Sequence, residues 1–322
     1  MKISSILLLV ISALLFVAIS TAQPPRIVTG SVIPAPTPTP PDQCPSTGSG
    51  FEIPLNQMPI PHPTPHPIDS LCPRGGSDDH NTDHRIQNAA KNDFTVKGNP
   101  IMLGFNDFTN LQKATDQKIA SGQIKLVSGG YPQNRAASLK EQITVQGKKI
   151  GEGTLVTLEA YVFGAHYSNT KFNVYPGNQH GSGEANNCKC NRIDWNDIHI
   201  ALSESADASS NECESVTAEI SPHYRSEIWS KFHDGGIPEI EAMLPGLLQH
   251  RVVDHHGPTD QPLKVRIAGP LFYDASHQPC HFNNAGAVTK HNSPARRTIW
   301  EIHPVYRIQL FDSAKNKWVD LS

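Results

Sequence analysis

The chain has 322 residues, with 27 basic against 30 acidic side chains, a formal net charge of -3, 27 prolines, 16 histidines and 6 cysteines. This length corresponds to one or two domains with enough chain for a buried core. The near-neutral charge argues against a partner such as nucleic acid, because bulk polyanion binding needs a clustered excess of Lys and Arg. The proline content argues against a mostly helical protein.

The N-terminus has the pattern of a secretory signal peptide. Lys2 precedes an apolar run over residues 6–19, and Ser20-Thr21-Ala22 supplies the small residues that a signal peptidase reads. The run is shorter than the ~20 residues that a helix needs to span a bilayer. We therefore predict a signal peptide over 1–22, cleavage after Ala22, and a secreted, periplasmic or cell-surface protein whose mature chain has no transmembrane segment.

A proline-rich segment follows the signal peptide. More than half of the 27 prolines lie between Pro24 and Pro73, and a polar stretch continues from residue 74. Since proline fixes φ and removes a hydrogen-bond donor, this composition predicts a disordered stalk over 23–92. We expect a mixed helical and strand preface over 93–150 and a β-domain over 151–322.

The globular part reads mainly as strands. Helical spacing of apolar residues predicts a helix from Asn106 to Ser121, and a second helix candidate runs from Pro238 to Leu248. Runs rich in β-branched and aromatic residues predict strands at 124–127, 155–163, 198–202, 216–220, 265–272 and 299–311. Strands with one intervening helix favour a mainly β fold, either an OB-like five-stranded, partly open barrel or a β-sandwich.

The cysteines are predicted to form disulfides, because an exported protein meets an oxidising compartment. They are Cys44, Cys72, Cys188, Cys190, Cys213 and Cys280. We expect Cys44 to pair with Cys72 within the proline-rich segment, and two bridges among the later four. Cys188 and Cys190 should have different partners. The alternative, a metal site at these two, fits less well because structural zinc sites usually space their cysteines further apart.

Three predicted strands carry acidic and imidazole side chains on one face and apolar side chains on the other. The polar set is Asp197, His199, Glu219, Glu301 and His303. If the strands are neighbours, this set gathers on one face, where it could bind a divalent metal through His199 and His303 or act as a general acid/base pair. The alternative is an ordinary solvated sheet face in which each acid pairs with a neighbouring His or Arg.

Two clusters of histidine and aspartate in predicted loops are weaker metal candidates. His80 and His84 lie among aspartates after the proline-rich segment, and His255 and His256 follow the second helix candidate. Short tracts of this kind can hold a metal ion. Ordering a flexible segment costs conformational entropy, so solvated loops are the competing interpretation.

Six sequence blocks follow one another in a fixed order between about Arg135 and Phe311. They are GTLVTLEAY at 153–161, NCKC at 187–190, DIHIAL at 197–202, SVTAEISPHYR at 215–225, VRIAGPLFYDASH at 265–277 and WEIHPV at 300–305. In these blocks the chain resembles an uncharacterised family of exported bacterial proteins with an OB-like or other small β-barrel domain. The resemblance implies architecture and no activity, and the chain carries Pro270 and an insertion over 281–294 between the last two blocks.

Three functions follow from these patterns. The first is an exported binding module for a small polar ligand, a saccharide, a peptide or a cell-envelope component. Its predicted ligand-binding residues are Asp197, His199, Glu219, Arg225, Asp274, His277, Glu301 and His303.

The second function is a metal-assisted hydrolase or phosphodiesterase, and the third is a structural envelope protein. The catalytic candidates of the hydrolase are His199, His303, Glu219 and Glu301. Because no P-loop, zincin or nucleophile-elbow pattern accompanies them, the binding module is favoured. A divalent metal is the cofactor that the pattern allows, and the oligomeric state is not indicated.

Overall fold

The structure, a computed structural model, describes most of the chain after residue 43. The described ranges are 44–77, 81–167, 184–206, 212–232, 263–282, 288–290 and 296–321, except positions 49, 52, 54, 128 and 191. They belong to one unit, Pro41–Ser322. The predicted signal peptide, the stalk up to residue 43 and the helix predicted at 238–248 lie outside them. Within these ranges no helix is long and apolar enough to cross a membrane.

Four helices are described. They are α1 (Pro67–Leu71), α2 (Thr82–Lys91), α3 (Phe105–Ala120) and α4 (Arg135–Ser138). The predicted helix over 106–121 is α3, which begins where Gly104 N donates to Asp107 Oδ2 at 2.8 Å. Its fully buried residues include Phe108 and Leu111. Burial of each of these side chains contributes about 1.5–3 kcal/mol relative to exposure, so the apolar stripe holds α3 on the sheet.

Twelve strands complete the described structure. They are β1 (Ile101–Leu103), β2 (Ile143–Val145), β3 (Lys148–Ile150), β4 (Leu155–Tyr167), β5 (Ile198–Ser203), β6 (Val216–Ile220), β7 (Lys264–Tyr273), β8 (His281–Phe282), β9 (Val288–Lys290), β10 (Trp300–Ile302), β11 (Arg307–Asp312) and β12 (Lys317–Asp320). The strand predicted at 124–127 is wrong. Leu126 makes a single bridge to Pro132, and Val127 N donates to Tyr131 O at 2.8 Å across a turn.

Five of the strands close into a barrel in the order β4-β5-β6-β10-β7, because β7 also pairs with β4. Numbered along the chain, these strands follow the order 1-2-3-5-4 of an OB barrel. The third and fifth, β6 and β10, run parallel, and the other neighbours run antiparallel. The predicted mainly β, OB-like fold is thus confirmed, with a closed barrel. β1 extends the sheet from β4, and β11 and β12 extend it from β7.

The core is built from alternate residues of the barrel strands, which face inward together with one side of α3. Trp300 is fully buried there, and its Nε1 donates to Thr115 Oγ1 of α3 at 3.1 Å. This bond satisfies the indole N–H, which would otherwise be costly to bury. The helix and the last barrel strand are therefore joined by both packing and a hydrogen bond.

The strand predicted over 299–311 is divided in two. β10 ends at Ile302, Pro304 follows, and β11 begins at Arg307. The chain passes close to β7 here: a Cβ at Gly269 would lie 2.4 Å from Pro304 O and 2.7 Å from Ile302 Cγ2. Only glycine leaves room for that approach, so Gly269 allows the barrel to close against the turn at Pro304.

The predicted stalk is folded over part of its length, which corrects its boundary at residue 92. Residues 44–92 contain α1 and α2, and they bury apolar side chains such as Phe51, Ile60 and Ile68. Proline therefore marks irregular backbone here rather than disorder, because aromatic and aliphatic residues between the prolines supply surface to bury.

The disulfides differ from the expected pairing. The bonds are Cys44–Cys190, Cys72–Cys188 and Cys213–Cys280. The expected bridge between Cys44 and Cys72 is wrong, because both cysteines cross to the turn at 188–190. The expectation that Cys188 and Cys190 have different partners is confirmed, and so is one bridge within the later four. The metal alternative at Cys188 and Cys190 is excluded by the same bonds.

Candidate functional site

The five polar side chains singled out by the strand pattern lie together on the face opposite the barrel core. They are Asp197, His199, Glu219, Glu301 and His303. In the register of β5 and β6, His199 is the direct partner of Glu219. The parallel pairing of β6 with β10 sets Ile302 beside Ala218, which places Glu301 of β10 and His303 just after it against Glu219. Strand alternation therefore brings the set to one face of the sheet.

Glu219 is at the centre of the contacts. Its Oε1 lies 3.1 Å from His199 Nε2, and its Oε2 lies 2.8 Å from His303 Nδ1. His303 Nδ1 is also 3.4 Å from Glu301 Oε1. On the other side of the ring, His303 Nε2 lies 3.9 Å from Asp197 Oδ2, which is too long for a hydrogen bond.

Two cations that the sequence analysis missed enter the same site. Lys91 Nζ lies 3.4 Å from Glu219 Oε2 and 3.9 Å from Asp274 Oδ2. Arg296 Nη1 lies 2.8 Å from Glu301 Oε2 and 3.8 Å from Asp274 Oδ2. Lys91 fell within the predicted stalk, and Arg296 sits just before a strand. A helix predicted over residues 82–91 could have indicated that Lys91 lies in the folded part of the chain. We call the whole set the charge cluster: Lys91, Asp197, His199, Glu219, Asp274, Arg296, Glu301 and His303.

Two asparagines orient the Asp197 carboxylate. Asn186 Nδ2 donates to its Oδ2 at 2.9 Å, and Asn187 Nδ2 donates to its Oδ1 at 3.2 Å. Both asparagines precede Cys188 and Cys190, whose disulfides tie this turn to the N-terminal segment. The orientation of Asp197 therefore depends on covalent bonds that the strand pattern does not reveal.

The other predicted ligand-binding residues lie at different distances from this site. Asp274 joins the charge cluster and also caps a turn, since its Oδ1 accepts from Ser276 N at 2.9 Å. His277 lies at the cluster's edge, where its Nδ1 contacts Asp274 Oδ2 and its side chain is 22% exposed. Arg225 lies apart, because its Nη2 donates to the carbonyls of Asn196 and Ile220 at 2.7 and 3.4 Å.

The weaker metal candidates do not join the charge cluster within the described ranges. His84 stacks on Tyr131 with ring centroids 5.3 Å apart. His80, His255 and His256 lie outside the described residues.

Burial and mutual contact shift the protonation of the charge cluster. Burial by itself lowers the pKa of His303, but the carboxylates of Glu219 and Asp197 raise it to about 10. Burial, together with Glu219 and Asp274, raises the pKa of Glu301 to about 7. Burial opposes ionisation of Asp274, yet His277 and Lys91 hold its pKa well below the ordinary value. Neighbouring charges of opposite sign thus dominate at His303 and Asp274.

The charge cluster is short of positive charge. Its four carboxylates face two permanent cations, Lys91 and Arg296, so 4 - 2 leaves a formal deficit of two before the imidazoles are counted. A neighbouring carboxyl, Glu184, has a pKa raised well above its ordinary value by burial and by Asp197, so we leave it uncharged. Two protons or one divalent cation would cancel the deficit.

Two sets of ligand atoms within the charge cluster have the spacing of a metal site. Asp197, Glu219 and His303 form one set, and Glu219, Asp274 and Glu301 form the other, with the atoms of each set within 4.8 Å of one another. The first combines carboxylate oxygen with imidazole nitrogen, as zinc and other transition metals prefer, and the second is all oxygen.

Several polar atoms of the charge cluster are buried without a hydrogen bond in the described structure. His303 Nε2, which faces Asp197, is one of them. Arg296 Nε and Nη2 have no acceptor among the described residues, although the side chain is fully buried. An unpaired buried donor or acceptor costs about 1–3 kcal/mol. These atoms therefore indicate positions where an ion or a polar ligand would lower the energy.

A groove of about 400 Å³ lies on a different surface. Its lining residues are Pro100, Met102, Thr157, Arg266, Ala268, Arg307 and Gln309. It runs across β4, β7 and β11, away from the charge cluster. None of the site residues predicted from the sequence lines it.

The charge cluster occupies the region that binds ligands in OB folds, namely the second and third barrel strands and the connections between strands 1 and 2 and strands 4 and 5. Here β5 and β6 are the second and third strands. Asn186 lies in the first connection, and Asp274 and Arg296 lie in the second. Comparison with protein-family models, curated proteins and solved structures found no match. The function of this chain is therefore inferred from its own geometry.

Proposed function

We propose that the protein is an exported hydrolase that uses one divalent cation in the charge cluster to cleave a small phosphodiester or related ester. The observation that carries the proposal is the ligand set of Asp197, Glu219 and His303 on the OB ligand-binding face. His303 Nε2 is fully buried, makes no hydrogen bond to the residues that the structure describes and faces Asp197 Oδ2 at 3.9 Å. A cation between them would satisfy both atoms.

The charge of the cluster supports a divalent ion. Four buried carboxylates are costly unless they are paired, and Lys91 and Arg296 neutralise two of them. One divalent cation would bring the formal charge to zero with His303 in the neutral form that metal binding requires. A fold that required stability alone would be served as well by apolar residues, since replacing a buried ion network by packed apolar groups is often neutral or stabilising.

The roles of the individual residues follow from their contacts. Asp197, Glu219 and His303 would hold the cation, which would lower the pKa of a bound water and polarise the substrate. Asn186 and Asn187 keep the Asp197 carboxylate in position. Through its contact with Glu219, His199 is placed to accept or donate a proton.

Arg296 favours an anionic substrate. The guanidinium is fully buried, binds Glu301 through Nη1, and has no acceptor for Nε or Nη2 in the part of the chain that the structure describes. Guanidinium donors match the paired oxygens of phosphate esters. Because the overall charge is slightly negative, a small ester fits better than a long nucleic acid.

Access to the charge cluster requires movement of a covering element. Its residues are buried, and among the described elements α2 covers it and contributes Lys91. We include export in the proposal, with a signal peptide cleaved after Ala22. The three disulfides support an oxidising location. The six sequence blocks support membership of the exported bacterial family that the chain resembles.

Metal analysis of the purified mature protein tests the proposal. After saturation with Zn²⁺ and desalting, we expect about one ion per chain. His303→Ala should weaken binding at least about tenfold, the lower end of the cost of losing even an outer partner of a metal ligand. His199→Ala should keep the ion but lower kcat on a phosphodiester panel by about 10²–10⁴-fold.

The matched control is His62→Ala, which alters an exposed histidine that is not a member of the charge cluster. It should leave the Zn²⁺ content and turnover unchanged. A wild-type chain without bound Zn²⁺, Mn²⁺ or other divalent ion, or a folded His303→Ala variant with the wild-type content, would refute the proposal.

The groove across β4, β7 and β11 favours a second candidate function, an exported binding module for a small polar ligand such as a saccharide. Arg266, Arg307 and Gln309 present polar groups along its lining. We expect Gln309→Ala to weaken binding of a saccharide panel, measured by calorimetry, while His303→Ala leaves it unchanged. If no ligand binds and no metal is held, the structural envelope role becomes the better explanation.

A further inference from the structure

The Lys91 ammonium lies where a second metal ion would otherwise lie. Its Nζ contacts Glu219 Oε2 at 3.4 Å and Asp274 Oδ2 at 3.9 Å, two members of the all-oxygen ligand set that Glu301 completes. We propose that Lys91 is a built-in cation that fills this second metal position, so that the protein holds one divalent ion where its ligands could hold two. The inference rests on the function proposed above.

The position of the ammonium is set by α2 and not by the barrel. One turn before Lys91, Gln87 accepts from Arg135 Nη1 at 2.8 Å and from Ala275 N at 3.0 Å. Gln87 also donates to Ser276 Oγ at 2.7 Å. These bonds join α2 to the connection after β7, so that the helix places Lys91 against Glu219 and Asp274 while it covers the charge cluster.

The two ligand sets share Glu219. Its Oε1 contacts His199, and its Oε2 contacts both His303 and Lys91. Carboxylates that bridge two ions are the usual feature of two-metal hydrolytic sites, whose ions lie about 3.5–4 Å apart. In this chain the second position holds the single positive charge of the Lys91 ammonium. Lys91 is also 5.7 Å from the Phe272 ring centroid, an apolar wall that excludes water.

Formal charge gives the stoichiometry. With Lys91 and Arg296 in place, the four carboxylates of the charge cluster are balanced by one divalent ion. Loss of the ammonium leaves a deficit of three, which one divalent ion cannot cancel. One divalent ion would then leave a charge of -1 beside the vacated ligands Glu219, Asp274 and Glu301, which would attract a second cation.

The test is the number of Mn²⁺ ions bound by the full mature chain, measured by equilibrium dialysis and electron paramagnetic resonance. We expect about one Mn²⁺ in the wild type and about two in Lys91→Met, with the spin coupling of a bridged pair. Lys113→Met is the matched control, because Lys113 is exposed on α3. It should bind one ion.

A second variant keeps the test decisive if Lys91→Met folds poorly. Lys91→Met combined with Asp274→Asn removes one charge of each sign and one ligand, so it should fold and bind one Mn²⁺. If Lys91→Met binds one ion, or folds in Mn²⁺ only when Asp274→Asn is also present, Lys91 is a counter-ion and the inference is wrong. Those results leave the proposed function intact, whereas a wild-type chain without metal removes both.

Discussion

At the residue scale, Tyr224 ties the N-terminal segment to the barrel. Its hydroxyl donates to Ile53 O at 2.9 Å, and its ring meets Phe51 and Phe94 edge-on, with centroids 5.6 and 5.8 Å apart. Burial, followed by the nearby Asp69 carboxylate, raises the pKa of Tyr224 to about 12. Ionisation of the phenol is therefore coupled to the packing of this segment.

This coupling predicts a loss of stability in alkali. The folded pKa is raised above the unfolded value of about 10, so the contribution of Tyr224 is fully present below pH ~10 and is lost as the pH rises towards 12. In a phenolate absorbance titration, Tyr224→Phe should remove a component with a midpoint near 12. If the difference between the variant and the wild type titrates near 10, the burial argument is wrong.

Also at the residue scale, the charge cluster depends on the partners of Glu219. Glu219 contacts two imidazoles and an ammonium, each contributed by a different element. Removal of one partner from such a buried set leaves a charge uncompensated and costs about 3–5 kcal/mol. Substitutions in the charge cluster must therefore be assessed for folding before any loss of activity is assigned to chemistry.

At the element scale, α2 and the turn over 184–190 form the cover of the charge cluster. The Cys72–Cys188 bond joins the segment before α2 to this turn across 116 residues. Asn92, just after α2, donates to Asn186 O at 3.2 Å. The cover is thus one covalently and hydrogen-bonded layer on the outer face of β5 and β6.

Removal of this bond should loosen the cover selectively. We expect Cys72→Ala with Cys188→Ala to lower the free energy of unfolding by about 2–5 kcal/mol in urea, because a long loop is released. Amide hydrogen exchange in α2 should accelerate, since local opening becomes easier.

The control for this prediction is Cys213→Ala with Cys280→Ala, which opens a bond across 67 residues that does not involve the cover. It should also reduce stability but leave α2 exchange close to the wild-type rate. Equal exchange rates in α2 for both variants would contradict the view that the Cys72–Cys188 bond secures the cover.

At the scale of the whole molecule, the OB barrel has two faces with different uses. One face of its strands packs the apolar core with α3. On the other face, around β5 and β6, the cover formed by α2 and the turn over 184–190 encloses the charge cluster. The surface where OB folds meet ligands is therefore covered by this chain's own N-terminal segment, which makes movement of α2 the step that would control access.

The sequence by itself determined the barrel strands and the shared face of Asp197, His199, Glu219, Glu301 and His303. Side-chain direction along a strand alternates with every residue, so apolar and polar positions reveal each strand's two faces locally. Trp300 in the core and α3 follow from the same kind of local pattern.

Only the tertiary structure decided the rest of the charge cluster and the disulfide pairing. Lys91 and Arg296 contact the carboxylates from segments outside the barrel strands. The local periodicity of apolar residues does not indicate how these segments pack on the barrel. Cys44 and Cys72 also pair with the distant turn at 188–190 rather than with each other, although they are close in sequence. Loop closure grows costlier by only about 0.6 kcal/mol per doubling of length, so the folded positions of the cysteines, rather than their spacing, select the partners.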